Sequence, residues 1–530
     1  MFERRVWWIG NVFIAVLLLL SLRILYWQLL RGNELYFSLL DPGTVTLGEG
    51  ETPAWLQPGG LQELPQPLVQ RAVTVLSSTT RGRIYDRLGN VLAEDAPTAE
   101  GGKQRIYALP SLAPVLGYTS GIHLGVTGLE LRYNGTLLGL NRLDSQLEQL
   151  VHEPVTGSDL VLTIDSQVQQ AAAAALGGRN GSVTVFDGRT GAVLAMVSAP
   201  HIDPNRVTEE GYLASMANDP NAPLINRATQ GLYTPGSTFK TVSLIAALDS
   251  GQVTPETMFN FGEPLRDANG RIYYVYRVGG GEIPDPNHTE DRLDLTMSYA
   301  KSANAAFGQI GAEMSAETLI AYAQKFGFSA PEGQGIPVEL PLSGSQLAQN
   351  LDDLSTSPLL RAATAIGQGE LLTNTYSMGL PVLAALNGGD LPVPYLVAQI
   401  KDPTGITRNG PLVGRKINDL MQPNTAEQVV QIMVTSAEKG WAQTGRVEGV
   451  TVGGKTGTAQ LGGDRLPHAW YLGFARQDDR AVVIVVMVEN GGEGSVVAAP
   501  IFAQIVPTAL QAAEPAPSGW QWPKIPGLNP

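Results

Sequence analysis

The chain has 530 residues, too many for one ordinary domain, and an apolar fraction of 43% that can fill a large core. Its 49 acidic residues against 35 basic ones leave a net charge of −14 without any long basic run, which argues against nucleic acid as a partner. The lack of cysteine excludes disulfides and a thiol nucleophile, and the five histidines show no ligand spacing, so neither metal nor cofactor is expected.

After Met1-Phe-Glu-Arg-Arg5, residues 6–30 are apolar except for Asn11, Ser21, Arg23 and Gln28, a run long enough to span a bilayer. Trp7, Trp8, Tyr26 and Trp27 stand near its two ends, where an aromatic belt forms. No A-x-A-like cleavage pattern follows, so the segment reads as an uncleaved anchor rather than a signal peptide. On a helix, Gly10, Ser21 and Gln28 share one stripe, with Asn11 near its edge. Small and polar residues on one stripe let helices approach each other in lipid. Arg4 and Arg5 are balanced by Arg23 and Arg31, so arginine bias leaves the orientation open.

Residues 40–80 are rich in Pro, Gly and Leu and read as loops over a modest scaffold. R-G-R-I-Y-D-R-L-G-N-V-L-A (81–93) reads as two short strands around an L-G-N turn, with Arg81, Asp86 and Arg87 expected in structural ion pairs. V-L-T-I-D-S-Q-V-Q-Q-A-A-A-A-A-L, from Val161, reads as a strand and an amphipathic helix. S-V-T-V-F-D, G-R-T-G and A-V-L-A-M-V-S then form a hairpin.

T-P-G-S-T-F-K (234–240) opens a helical period over 237–248, with Phe239, Val242, Ile245 and Ala246 on one face. Ser237 and Lys240, three apart, share a face of the first turn, beside free N–H groups and the positive dipole end. That pattern suits a serine nucleophile with a lysine to take its proton. Alone, it fits better a Ser N-cap followed by a surface lysine. S-A-N (302–304) separates two helical runs. K-T-G-T (455–458) lies on a strand that is Gly-rich just before it, as a strand beside a ligand is. A-W-Y-L-G-F-A and A-V-V-I-V-V-M-V add two strands, and a helical pattern and a Pro-rich tail close the chain. Strands at both ends with helices between them predict an α+β domain whose sheet joins N- and C-terminal pieces.

S-x-x-K, S-x-N and K-T-G in that order are together the signature of serine acyl-transferases that react with penicillin. With A-I-G-Q-G-E (365–370), L-N-G-G, H-A-W-Y-L-G-F-A, V-E-N-G and G-L-E-L-R-Y (128–133), the chain resembles the class B penicillin-binding proteins, above all the compact actinobacterial type. The resemblance implies a serine penicillin-recognising transpeptidase (β-lactamase-like) fold with an antiparallel sheet flanked by helices, a β-rich N-terminal pedestal and one transmembrane helix. It implies a cytoplasmic tip and anchor at 1–31, a non-catalytic pedestal at 32–160, a transpeptidase domain at 161–513 and a tail at 514–530.

By the same resemblance, the reaction is D,D-transpeptidation of peptidoglycan stem peptides through an acyl-enzyme, with β-lactams as covalent inhibitors. Ser237 is the nucleophile and Lys240 the proton acceptor, its pKa lowered by burial and by Lys455. Ser302 bridges the two lysines, and Asn304 holds the substrate amide. Thr456, Gly457 and Thr458 line the carboxylate and oxyanion sites, and Ala303 carries no mechanistic consequence. His468, near the last motif, reads as a solvated loop residue. A polytopic membrane glycan polymerase is the implied partner, with the N-terminus inside the cell and the bulk outside. A D,D-carboxypeptidase has the same signature, and a penicillin sensor shares the serine. A β-lactamase lacks an anchor and a pedestal.

Overall fold

The computed structural model describes residues 79–99, 102–119, 126–139, 155–331, 335–463 and 465–524. The expected anchor at 6–30, with Gly10, Asn11, Ser21 and Gln28, lies outside the described residues, as does the loop-rich stretch up to residue 78. Among the described residues no helix is long and apolar enough to cross a membrane.

The fold is α+β. The larger part runs through helix α1 (Ser166–Leu176) and the hairpin β1 (Gly181–Asp187) and β2 (Val193–Ala199). Its middle holds α2 (Lys240–Asp249), α3 (Leu295–Ala300), α4 (Asn304–Glu313), α5 (Thr375–Leu386) and α6 (Pro423–Lys439). It ends with β3 (Thr451–Ala459), β4 (His468–Gln477), β5 (Arg480–Val488) and α7 (Ala498–Ala512). The strands form one antiparallel sheet in the order β3-β4-β5-β1-β2. Pairing of β5 with β1, from Val482 opposite Asp187 to Val488 opposite Gly181, joins the N-terminal hairpin to the C-terminal strands.

The unbroken apolar run of β5 follows from burial on both faces. Val483, Val485 and Met487 pack on the side of α2, α5 and α6, while Val482, Ile484, Val486 and Val488 pack on the side of α1 and α7. A side chain alternates faces at each residue, so a strand covered on both sides has no place for polar residues. Each buried aliphatic side chain contributes about 2 kcal/mol.

A second sheet has the order Thr407–Asn409, Val397–Lys401, Asp159–Leu162, Ile84–Tyr85, Val91–Pro97, Lys103–Tyr107. Asp159–Leu162 runs parallel to Ile84–Tyr85 and antiparallel to Val397–Lys401, so this sheet spans the expected boundary at 160/161. Beside it, the buried Glu130 carboxylate accepts from Arg81 Nε at 2.6 Å and Arg105 Nε at 2.8 Å, and Arg81 also reaches Asn134 Oδ1 at 2.7 Å. The ion pair expected of Arg81 is therefore present, but among the described residues Asp86 has none. Asp86 accepts instead from the backbone of Leu88 and Asn90, from Asn90 Nδ2 and from Ser166 Oγ, closing the L-G-N turn. Arg87 leaves the turn for the larger part, bonding the Ala512 carbonyl and lying 3.9 Å from Asp165.

Two local features depart from the sequence reading. The helix expected from Ser237 begins as a 3-10 turn, Gly236–Phe239, and becomes α-helical only at Lys240. Between α2 and α3, strands Ile272–Val278 and Gly281–Asp285 form a hairpin that periodicity alone did not single out.

Candidate active site

The Ser237 segment is clamped from both sides before any chemistry is considered. Tyr233 exchanges backbone hydrogen bonds with Thr373 at 2.8 and 2.9 Å, and the Thr234 carbonyl accepts from Trp470 Nε1 at 3.0 Å. Gly236 has φ +56°, and a Cβ there would stand 3.0 Å from the Thr458 carbonyl. A side chain at Gly367, in A-I-G-Q-G-E, would overlap the Gly236 carbonyl. The 3-10 turn is thereby pressed against β3, the edge strand of the sheet. Ser237 is half-buried, and its hydroxyl makes no hydrogen bond among the described residues. It caps no helix, because the residue preceding α2 is Phe239.

One turn on, Lys240 is wholly buried. Its Nζ meets the Ser302 carbonyl at 2.8 Å, Ser302 Oγ at 3.2 Å and Asn304 Oδ1 at 2.7 Å, with the Phe307 ring 5.6 Å away. Loss of water pushes its pKa down from 10.5 to about 7, while the Asp285 carboxylate works in the opposite direction. Lys455, also wholly buried, donates from Nζ to Ser302 Oγ at 2.9 Å and to the Thr456 carbonyl at 3.0 Å. Burial, and secondarily the charge of Lys240, push the Lys455 pKa well below 10.5. Burial is thus the leading cause for both amines, and Lys455 is not among the causes that lower Lys240, contrary to the expectation from the resemblance.

Ser302 joins the two amines. It adopts φ +57°, a left-handed conformation that costs a non-glycine residue about 1–2 kcal/mol. This turn, between α3 and α4, aims the hydroxyl and the carbonyl of one residue at Lys240. A hydroxyl between two amines can take a proton from one and pass its own to the other. Ala303, next to it, is buried. Asn304 uses Oδ1 for Lys240 and donates from Nδ2 to the Pro284 carbonyl at 2.9 Å, so both ends of the amide are engaged within the protein.

On β3, Thr456 is largely buried and Thr458 is exposed, with the Gly494 N–H donating to its Oγ1 at 3.4 Å. Gly457 lies beneath the Pro235 carbonyl and the Trp470 side chain. The glycines before the motif are explained by packing rather than by a ligand. A Cβ at Gly453 would stand 2.2 Å from the Phe474 ring, and one at Gly454 2.2 Å from the Tyr471 hydroxyl. His468 is also corrected. It begins β4, is half-buried, accepts from the Asn490 N–H through Nδ1 at 3.1 Å and meets Tyr233 edge-on at 5.3 Å. Burial lowers its pKa.

Sequence reasoning missed the loop that supports the S-A-N turn. Asn287 Nδ2 donates to the Ser302 carbonyl at 2.8 Å, and the wholly buried Asp285 accepts from the Ala305 N–H at 2.7 Å. The V-G-G-G-E turn of the hairpin that carries this loop is a signal for it, since Gly279 and Gly280 both take positive φ. Among the described residues no group of three or more acidic or histidine side chains is arranged to hold a metal.

The chain matches the family model described as penicillin binding protein transpeptidase domain over residues 181–507. It is 33% identical to the peptidoglycan D,D-transpeptidase PbpA of Mycolicibacterium smegmatis, over 84% of this chain and 92% of that one. It is 28% identical to stage V sporulation protein D of Bacillus subtilis, over 75% of this chain and 62% of that one. Among solved structures, penicillin-binding protein A of M. tuberculosis in its penicillin G acyl-enzyme complex is similar at TM-score 0.70 and 28% identity, covering 82% of this chain and all of that one.

Proposed function

The chain belongs to the penicillin-binding protein transpeptidases, and on that premise we propose how its residues carry the reaction. It is a serine D,D-transpeptidase of peptidoglycan that binds β-lactams covalently. Ser237 Oγ attacks the carbonyl of the penultimate D-Ala, and its proton passes to neutral Lys240 Nζ. The backbone N–H groups of Ser237 and Thr458 take the developing oxyanion, a contribution of about 3 kcal/mol for each donor. The C–N bond then breaks, and the terminal D-Ala leaves as an amine with a proton delivered through Ser302 and replenished from Lys455. The acceptor amine of a second stem attacks the ester and releases Ser237.

The observation that carries these roles is Ser302 Oγ lying 3.2 Å from Lys240 Nζ and 2.9 Å from Lys455 Nζ. Buried like-charged amines cannot both stay protonated at low cost, so one proton can move along this line while the other site remains cationic. Thr456 and Thr458 are the proposed hydroxyl partners of the substrate carboxylate. Asn304 keeps a second Nδ2 hydrogen and a second Oδ1 lone pair beyond its internal hydrogen bonds, and these are the groups proposed to hold the substrate amide. Incubation with lipid-linked precursor and a glycan polymerase, followed by analysis of the stems, tests the function. Cross-linked stems are the expected product, and tetrapeptides trimmed without cross-links would contradict it.

We also propose, from sequence, that residues 6–30 anchor the chain with the catalytic part outside the cell, and that Gly10, Ser21 and Gln28 face a polytopic glycan polymerase. Replacing the three by leucine should preserve insertion and penicillin labelling but reduce co-purification with the polymerase.

A further inference from the structure

The loop Pro284–His288 touches the S-A-N turn at three successive points. The Pro284 carbonyl accepts from Asn304 Nδ2, Asp285 Oδ2 accepts from the Ala305 N–H, and Asn287 Nδ2 donates to the Ser302 carbonyl. Asp285 is completely buried, as is the His288 side chain that it faces, with Nε2 to Oδ2 at 3.1 Å. The His288 ring is stacked on Tyr274 at 5.2 Å and lies 4.5 Å from Phe261, and its Nδ1 meets the Glu290 carbonyl at 2.9 Å. A carbonyl only accepts, so Nδ1 carries hydrogen, and the Nε2–Oδ2 contact then requires one further proton shared by the pair. A buried carboxylate with such satisfied partners is costly to place. Nothing in the reaction above uses it.

We propose that Asp285 is a positioning residue for acylation: its carboxylate, held by His288, fixes the Ser302–Asn304 turn and stabilises the charge that Lys240 gains with the serine proton. Lys240 is linked to the backbone beside this carboxylate through Asn304, whose Oδ1 it bonds and whose Nδ2 donates to the Pro284 carbonyl. The direction agrees with the opposing effects of burial and Asp285 on Lys240. Titratable groups around the lysine are Lys455 from β3, which shares Ser302 Oγ with it and lies 5.7 Å from the Tyr299 ring, and Asp285. Those around Asp285 are His288, Tyr274 from the hairpin, and the outer pair of Glu290 and Lys301 at 3.3 Å.

The inference rests on Lys240 being the proton acceptor, and the test separates the two. The second-order rate of labelling by a fluorescent penicillin is measured from about pH 5 to about pH 9 for the full chain in detergent. Wild type without an acid limb would overturn the Lys240 reading itself. With the limb present, Asp285→Asn keeps an acceptor for Ala305 but removes the charge. It should shift the limb to lower pH by about half a unit or more and lower the plateau. His288→Gln keeps an N–H toward the carboxylate without the shared proton, and its limb should stay at or above the wild-type position. A uniform drop in rate for Asp285→Asn with an unmoved limb would reduce Asp285 to a structural residue and overturn the proposal. Should Asp285→Asn fail to fold, a His288→Gln limb below that of wild type would overturn it equally.

Discussion

A lysine amine deprived of water binds its proton weakly, and Lys240, buried and with its pKa pushed down to about 7, is a base at neutral pH. The depressed value fixes the sign of the pH dependence. Above about pH 7 the amine is mostly neutral and can accept the serine proton; below it, protonation removes the base. Acylation by penicillin should therefore fall as pH drops through about 7, which stopped-flow labelling would measure. Lys240→Ala should slow acylation by about 10²- to 10⁴-fold at pH values where wild type is on its plateau. Equal rates for the two proteins would remove Lys240 from the mechanism. Ser237, Lys240, Ser302, Asn304 and Lys455 were legible in the sequence because three short motifs carry them at fixed spacing. Asp285 was not. Its importance comes from a tertiary contact with Ala305, and neither its neighbours nor its spacing marks D-P-N-H as distinct from a surface turn.

At the scale of elements, the strands were readable where both faces are buried, because β5 is continuously apolar. They were less readable in the hairpin Ile272–Val278 and Gly281–Asp285, whose residues are largely half-buried or exposed. The start of α2 was misplaced because apolar periodicity does not distinguish a 3-10 turn from an α-helical one over four residues. The glycines of β3 suggest room for a ligand when seen in sequence, whereas in the fold they make room for the rings of β4. Gly454→Ala should thus destabilise the domain by about 1–3 kcal/mol through its clash with the Tyr471 hydroxyl. Pairing it with Tyr471→Phe should recover part of that loss. Denaturant titration of the two single variants and the double variant checks this; additive losses would show that the hydroxyl is not the obstacle.

Across the whole molecule, the second sheet and Arg87 tie the N-terminal part to the larger one, so the expected boundary at 160/161 is crossed by hydrogen-bonded strands. Sequence patterns locate a boundary by composition, and strands from distant parts of a chain share one sheet without any local sign. The buried Glu130 between Arg81 and Arg105 is the polar centre of the N-terminal part. Glu130→Ala leaves two arginines without their carboxylate and should cost about 3–5 kcal/mol, seen as a lower thermal midpoint. Below that midpoint, Ser237 should still label with penicillin, because the network stands apart from the residues around Lys240. The proposed reaction turns on one covalent bond. Penicillin G added to the protein, followed by proteolysis and mass spectrometry, should place a stable adduct on Ser237, and Ser237→Ala should carry none. An adduct on another residue, or undiminished labelling of Ser237→Ala, would contradict the account at its centre.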